Sequence, residues 1–195
     1  MRAAQNLYEA GLITYLRTDG INISTSPNTG EPFSEENPGP PPLQEIRNVI
    51  VEKFGDKFLS DQVRVYKSKV KNSQEAHEAI RPTNIKTYPE NINLGQDEQK
   101  LYTLIWNRTV SSQMSNSQHE RKKIVVCSKD NKYVFNASSR KTLFEGFETL
   151  SKKDSSEIVE FPENLKENEN VSLTEFISEQ KFTSPPNRYS EASLI

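Results

Sequence analysis

The stretch Gly11-Leu-Ile-Thr-Tyr-Leu-Arg-Thr-Asp19 places three reactive or charged side chains at alternate positions, Tyr15, Arg17 and Asp19. Side chains at i, i+2 and i+4 of an extended segment share a face, so all three are expected to point into one site. Arginine stays charged and offers a planar fork of donors that fits phosphate oxygens. A tyrosine hydroxyl beside it is a candidate nucleophile towards a phosphodiester. Packing is the alternative role for Tyr15, because most tyrosines next to apolar residues pack.

A second polar stretch, Gln74-Glu-Ala-His-Glu-Ala-Ile-Arg-Pro-Thr83, carries a further group of charged side chains. Ser73 is suited to cap a short helix here, and the proline near the end of the stretch would stop that helix. On such a helix, His77 and Arg81 are four residues apart and share a face. Glu78 lies three residues from Arg81 and is expected to pair with it.

The composition is that of a polar chain with little net charge. The 195 residues are 33% hydrophobic and 27% charged, with a net charge of −2, and suffice for one or two domains with a core. No apolar run approaches the roughly 20 residues that span a bilayer, and no signal-peptide core is present. One cysteine and two histidines exclude an internal disulfide framework and argue against a metal site built from these residues.

Positive charge is concentrated in the middle of the chain. Residues 44–123 carry 14 basic and 10 acidic side chains, a surplus of four, whereas residues 124–195 carry 9 and 12, a deficit of three. The half with the two stretches is thus mildly basic. Four surplus charges predict a solvated surface of mixed charge rather than a strong electrostatic footprint for nucleic acid.

Hydrophobic periodicity predicts a helical domain over residues 1–117. One helix covers residues 2–10 and ends at Gly11, and another begins at Leu43. A third follows Gly95, and its apolar residues, including Leu104, are expected to be buried. Residues 26–43 hold six of the eleven prolines and are predicted to be a disordered or extended surface loop. A proline-rich ligand for a partner protein is the alternative role for that loop.

After residue 117 the pattern changes to short strand-like runs. These runs, at residues 123–127, 132–136, 142–144 and 171–177, predict a small antiparallel β domain over residues 118–180. Residues 181–195 are expected to begin another helical domain, with a helix capped by Ser190 that the chain end cuts short. The predicted fold class is α+β.

Taken together, the Tyr15 and His77 stretches resemble the signature segments of type IA DNA topoisomerases, most closely those of the bacterial topoisomerase I branch. Two further stretches agree with this resemblance, Leu101-Tyr-Thr-Leu-Ile-Trp-Asn-Arg108 and Pro185-Pro-Asn-Arg-Tyr-Ser-Glu-Ala-Ser-Leu194. All four stretches occur in the family's order, and the resemblance implies that residues 26–43 are a disordered insertion. Gly20 departs from the serine that is common after the aspartate, which is expected to loosen the turn there.

The resemblance implies a nucleophile and its supporting groups. Tyr15 would attack one DNA strand and become linked to its 5′ phosphate, and Arg17 would hold the scissile phosphate. His77 would support the active site and DNA binding, with Asp19 and Arg81 beside it. Arg188 looks like part of the single-strand-binding region, and a capping or surface role is its alternative.

The resemblance also implies a helical, winged-helix-like tyrosine domain followed by a β arch, or hinge, segment. The family's Mg²⁺ site lies in a Toprim domain that this chain lacks, so no metal ligand is expected here, and no ATP is required. The implied partner is DNA, mainly single-stranded at the cleavage site, in the bacterial cytoplasm with the nucleoid and without a membrane. Intact members are usually monomeric, and the oligomeric state stays open. The chain alone is expected to be inactive. A non-catalytic DNA-binding or protein-interaction module is the alternative function.

Overall fold

The computed structural model describes residues 2–18, 20–23, 41–66, 78–151, 161–162, 164–175 and 177–190. The chain divides into two units, Met1–Val159 and Glu160–Ile195. In the described residues all α-helices and strands belong to the first unit, in the order α1 (Arg2–Glu9), α2 (Pro41–Phe54), α3 (Gln96–Ser111), β1 (Gln118–Cys127) and β2 (Val134–Phe144). Short 3-10 helices lie at Asp56–Phe58, Pro89–Asn91 and Gly146–Leu150. The predicted α+β class is confirmed. No helix among the described residues is long and apolar enough to cross a bilayer.

Helix α1 ends where its glycine permits a left-handed turn. Gly11 has φ +69°, which a residue with a Cβ rarely adopts. The amide of Leu12 donates to the carbonyl of Leu7 at 3.0 Å, and the amide of Gly11 donates to that of Tyr8 at 2.9 Å. This pair of bonds caps the last free carbonyls of the helix and turns the chain directly into the Tyr15 stretch.

Helices α2 and α3 supply most of the core. Helix α2 begins at Pro41, because proline is tolerated in a first turn whose amides lack helical partners. The last three residues of the predicted 26–43 insertion are therefore helical, and residues 26–40 lie outside the described part of the chain. The residues of α2 that are buried in the core are Leu43, Ile46, Val49 and Ile50.

The two large aromatic side chains of α3 are fixed by hydrogen bonds as well as by packing. The Tyr102 hydroxyl donates to the carbonyl of Thr87 at 2.8 Å, and the Trp106 indole nitrogen donates to that of Ile85 at 2.9 Å. Burial raises the pKa of Tyr102 to about 12. Predicted burial of Leu104 is wrong, since it is 66% exposed. Residues four apart, Tyr102 and Trp106, define the buried stripe, and Leu104 points away from it.

In the described part of the chain, strands β1 and β2 pair only with each other, as one antiparallel hairpin. The predicted strands at 132–136 and 142–144 are a single strand, Val134–Phe144. The predicted strand at 171–177 is wrong, because its described residues have no strand partner. The predicted helix after Ser190 falls on residues 191–195, which lie outside the described residues. A domain boundary near residue 117 stays a prediction.

The base of the hairpin is attached to the helical part by aromatic packing and backbone bonds. The rings of Phe58 and Phe144 lie 4.8 Å apart between centroids. The amide of Phe147 donates to the carbonyl of Ser115 at 3.0 Å. Gly146 makes this approach feasible, because it has φ +50° and a Cβ there would lie 2.5 Å from the carbonyl oxygen of Asn116.

We expect Gly146→Ala to lower the free energy of unfolding by about 2–4 kcal/mol, because a left-handed alanine and a backbone clash each cost about 1–2 kcal/mol. Gly11→Ala is the matched control, since its φ is also positive but no atom lies within 4 Å of the added Cβ. That control should cost only about 1–2 kcal/mol. Urea denaturation measures both, and equal losses would contradict the proposed close approach.

Candidate active site

The two motif stretches lie side by side as an antiparallel pair. Ile13 and Pro82 form a bridge between them. The amide of Thr14 donates to the carbonyl of Arg81 at 2.9 Å, and the amide of Thr83 donates to that of Leu12 at 3.0 Å. Segments that are 60 or more residues apart in sequence are therefore joined through their backbones.

Three threonine side chains strengthen this pairing. The Thr14 hydroxyl accepts from the amide of Arg81 at 3.0 Å and donates to the carbonyl of Ala79 at 3.3 Å. The Thr18 hydroxyl donates to the carbonyl of Glu78 at 2.8 Å, and that of Thr83 donates to the carbonyl of Gly11 at 2.6 Å. Each bond crosses from one stretch to the other, so the pairing extends beyond the single bridge.

The far end of the pair is tied to helix α3 through Asn22. The amide of Ala79 donates to the carbonyl of Asn22 at 2.7 Å. The Asn22 side chain accepts from the amide of Tyr66 at 2.7 Å and donates to its carbonyl. The Tyr66 hydroxyl in turn donates to the carbonyl of Ser112 at 2.7 Å, immediately after α3. The site is thus anchored to the core at both of its ends.

The helix predicted before Pro82 is wrong for its described residues, 78–81. Their backbone groups bond across to residues 14 and 22 instead of along a helix. Proline also disfavours helical geometry at Arg81, the residue before it. The predicted pairing of Glu78 with Arg81 is nevertheless confirmed, because three residues of separation also bring the two together here.

Tyr15 lies on the surface of this pair, and half of it is exposed. Its ring meets that of Tyr8 edge to face, with centroids 5.5 Å apart and planes at 67°. Within the described residues its hydroxyl makes no hydrogen bond. Arg17 is also exposed, whereas Leu16 and Thr18 are partly covered. This alternation supports a shared outward side for Tyr15 and Arg17, although Ile13 is buried.

Arg81 directs its guanidinium into the pair itself. Its Nε lies 3.0 Å from Oε2 of Glu78 and its Nη2 lies 3.2 Å from Oε1. Its Nη1 donates to the carbonyl of Pro82 at 3.1 Å. These contacts brace the backbone behind Tyr15, and a DNA-binding role for Arg81 stays a prediction.

The roles of three further predicted site residues stay predictions. Asp19 and His77 lie outside the described residues. Arg188 belongs to the unit Glu160–Ile195 and is exposed there. In the described ranges no three histidine, cysteine, aspartate or glutamate side chains converge as a metal site would require, so no residue is assigned to magnesium.

Sequence reasoning missed the residues that hold the loop, chiefly Thr14, Thr18 and Asn22. Threonine and asparagine side chains often bond to nearby backbone, so their density in residues 14–22 was the available signal. The turn after Arg17 is closed by such a bond, because the amide of Gly20 donates to the Thr18 hydroxyl at 2.9 Å. Tyr8 was missed because its ring contact with Tyr15 depends on the turn at Gly11.

A family model described as DNA topoisomerase matches residues 1–195. The chain belongs to the DNA topoisomerase family. It is 40% identical to DNA topoisomerase 1 of Rickettsia bellii over its whole length, which is 24% of that protein. DNA topoisomerase 1 of Helicobacter pylori is also 40% identical over the whole chain, 25% of that protein.

The structure of full-length topoisomerase I from Thermotoga maritima resembles this topoisomerase chain with a TM-score of 0.60 and 34% identity. The similarity covers 83% of this chain and 24% of that one. The chain therefore spans about a quarter of the length of the relatives that it matches. The predicted resemblance to this family is confirmed.

We expect Arg81→Lys to lower the free energy of unfolding by about 1–2 kcal/mol, because lysine cannot keep the two-pronged contact with Glu78 and the bond to Pro82. Arg108→Lys is the matched control, since Arg108 is exposed and has no side-chain partner among the described residues. That control should change stability by no more than about 0.5 kcal/mol. An equal effect of the two substitutions in urea denaturation would show that Arg81 does not brace the pair.

Proposed function

We propose that this chain provides the nucleophile-bearing part of a type IA DNA topoisomerase and that Tyr15 is the nucleophile. The observation that carries the proposal is a half-exposed tyrosine whose backbone is fixed on both sides while its hydroxyl is left without a partner in the described residues. A nucleophile must be both accessible and preorganised, because correct orientation removes part of the entropic barrier. Ordinary packing of Tyr15 would instead bury the ring.

In the proposed reaction, the Tyr15 oxygen attacks a backbone phosphorus of one DNA strand. The new bond joins that oxygen to the 5′ phosphate, and the bond from phosphorus to the 3′ oxygen breaks. The tyrosine proton is lost and the departing 3′ oxygen gains one, so protons balance. Rejoining is the reverse exchange, and each phosphodiester is replaced by another ester, so no ATP is consumed.

Arg17 is proposed to bind the phosphate under attack. Negative charge increases on the phosphate oxygens during such a displacement, and a guanidinium already in place stabilises that charge without reorganising. The exposure of both Arg17 and Tyr15 supports this role. His77, Asp19 and Arg188 are proposed as further DNA-binding or supporting groups.

The complete activity is proposed for the full-length protein, not for these 195 residues alone. Opening the cut strand and passing another through it, to relax negatively supercoiled DNA, require parts outside the chain. Mg²⁺ is proposed to be bound by a Toprim domain there, and the substrate is DNA that is single-stranded at the cleavage site. The proposed location is the bacterial cytoplasm, where the chromosome lies.

Covalent capture of DNA tests the nucleophile. The full-length protein is mixed with magnesium and a single-stranded oligonucleotide labelled at its 3′ end, and then denatured. Because the link is to the 5′ phosphate of the downstream piece, the label should migrate with the protein. Tyr15→Phe should abolish capture, since phenylalanine lacks the attacking oxygen.

Tyr8→Phe is the matched control, because Tyr8 is the other exposed phenol whose ring touches that of Tyr15. It should retain capture. Loss of capture in Tyr8→Phe but not in Tyr15→Phe would show that Tyr8 forms the covalent link, and it would overturn the proposal. Retention of DNA binding without any capture in the wild-type protein would favour the non-catalytic DNA-binding module.

A further inference from the structure

The β hairpin is the most basic part of the described chain. Residues 118–144 contain seven lysines and arginines and two acidic residues, a net charge of 7 − 2 = +5. Residue 123 lies within β1, so the charge totals of residues 44–123 and 124–195 divide the hairpin between them. The hairpin is also long and exposed along both strands, with ten residues in β1 and eleven in β2.

The register places positive charges opposite one another on one face. Arg121 is directly opposite Arg140, and Lys123 is opposite Ser138. Directly opposed residues of an antiparallel pair point to the same side, as do residues two apart along a strand. Arg121, Lys123 and Arg140 therefore share one face, which we call the arginine face.

This arrangement costs folding energy unless an anion is present. Like charges directly opposite each other in a sheet repel. Arg140 is partly compensated, because its Nη2 lies 3.2 Å from Oε1 of Glu148 and 2.6 Å from Nε2 of His119. Arg121 and Lys123 have no hydrogen-bond or ion-pair partner among the described residues. Two charges of the face are thus left for a ligand.

The opposite face of the hairpin is different. Lys122 lies 3.6 Å from Glu120 on that side, and Lys141 is directly opposite Glu120 in the register. Two lysines there stand beside one carboxylate, so the local surplus is only one charge. The two faces carry the same kind of residue on the same strands but differ in compensation.

We propose that the arginine face binds the phosphate backbone of a DNA strand, as a contact additional to the cleavage site. Residues two apart in a strand are separated by about 6.7 Å, which is more than the width of one phosphate group. Arg121 and Lys123 can therefore each contact a different phosphate of the same strand. The choice of DNA as the polyanion rests on the proposed function.

Salt dependence of DNA binding tests this proposal without cleavage chemistry. The full-length protein carrying Tyr15→Phe is titrated with a single-stranded oligonucleotide at several potassium chloride concentrations. Arg121→Gln with Lys123→Gln removes two phosphate contacts, so the slope of log affinity against log salt should become shallower by about 1.4. Over a fourfold change in salt this difference corresponds to about sevenfold in relative affinity.

Lys122→Gln with Lys141→Gln is the matched control, because it removes the same number of charges from the other face of the same hairpin. Its slope should stay at the parent value. Equal changes in both pairs, or no change in the first pair, would overturn the proposal. Arg121→Lys keeps the charge and should keep the slope, and a shallower slope in that variant would also overturn it. The readout is non-covalent, so a failure of Tyr15 as the nucleophile would leave this result unaffected.

Discussion

The backbone pairing between residues 11–22 and residues 78–83 is the constraint on which the candidate site depends. Neither segment is a helix or a long strand, so neither can hold its shape alone. Hydrogen bonds through Thr14, Thr18 and Thr83 connect them along most of their length. The left-handed turn at Gly11 and the bonds from Asn22 to Tyr66 then connect the pair to the helices. Hydrogen bonds between segments that are distant in sequence therefore hold the shape of the pair.

This support explains how an aromatic residue can remain half exposed in a fixed place. Burying a tyrosine would be favourable, and its exposure leaves apolar area in water. The edge contact with Tyr8 recovers part of that area while leaving the Tyr15 hydroxyl accessible. Arg81 stabilises the paired backbone through its ion pair with Glu78. The two arginines of the motif stretches are thus differently placed, with Arg17 exposed and Arg81 braced.

Local signals in the sequence predict local structure. The observed structure differs from these predictions where tertiary contacts decide the conformation. Helix α1 and its end at Gly11 followed from periodicity and a glycine. Local signals do not predict the structure of residues 78–81, because a helix and the pairing with residues 11–22 compete for the same amides. The bond to Thr14, which is distant in sequence, decides between them. The predictions for Leu104 and for residues 171–177 are wrong, because the sequence does not show which surface an apolar side chain packs against. Chemistry and the family resemblance predict site roles for Tyr15 and Arg17, whereas the arginine face depends on the strand register, which the sequence does not show.

Hydrogen exchange of the amides that cross the pair tests the account most directly. The amides of Thr14, Ala79, Arg81 and Thr83 all donate across it, whereas that of Tyr15 has no acceptor among the described residues. The four should be protected and share one opening free energy to within about 1 kcal/mol, because one cooperative unit opens at once. The Tyr15 amide should exchange rapidly beside them. Rapid exchange of all four while helix α3 stays protected would show that the pair does not hold Tyr15.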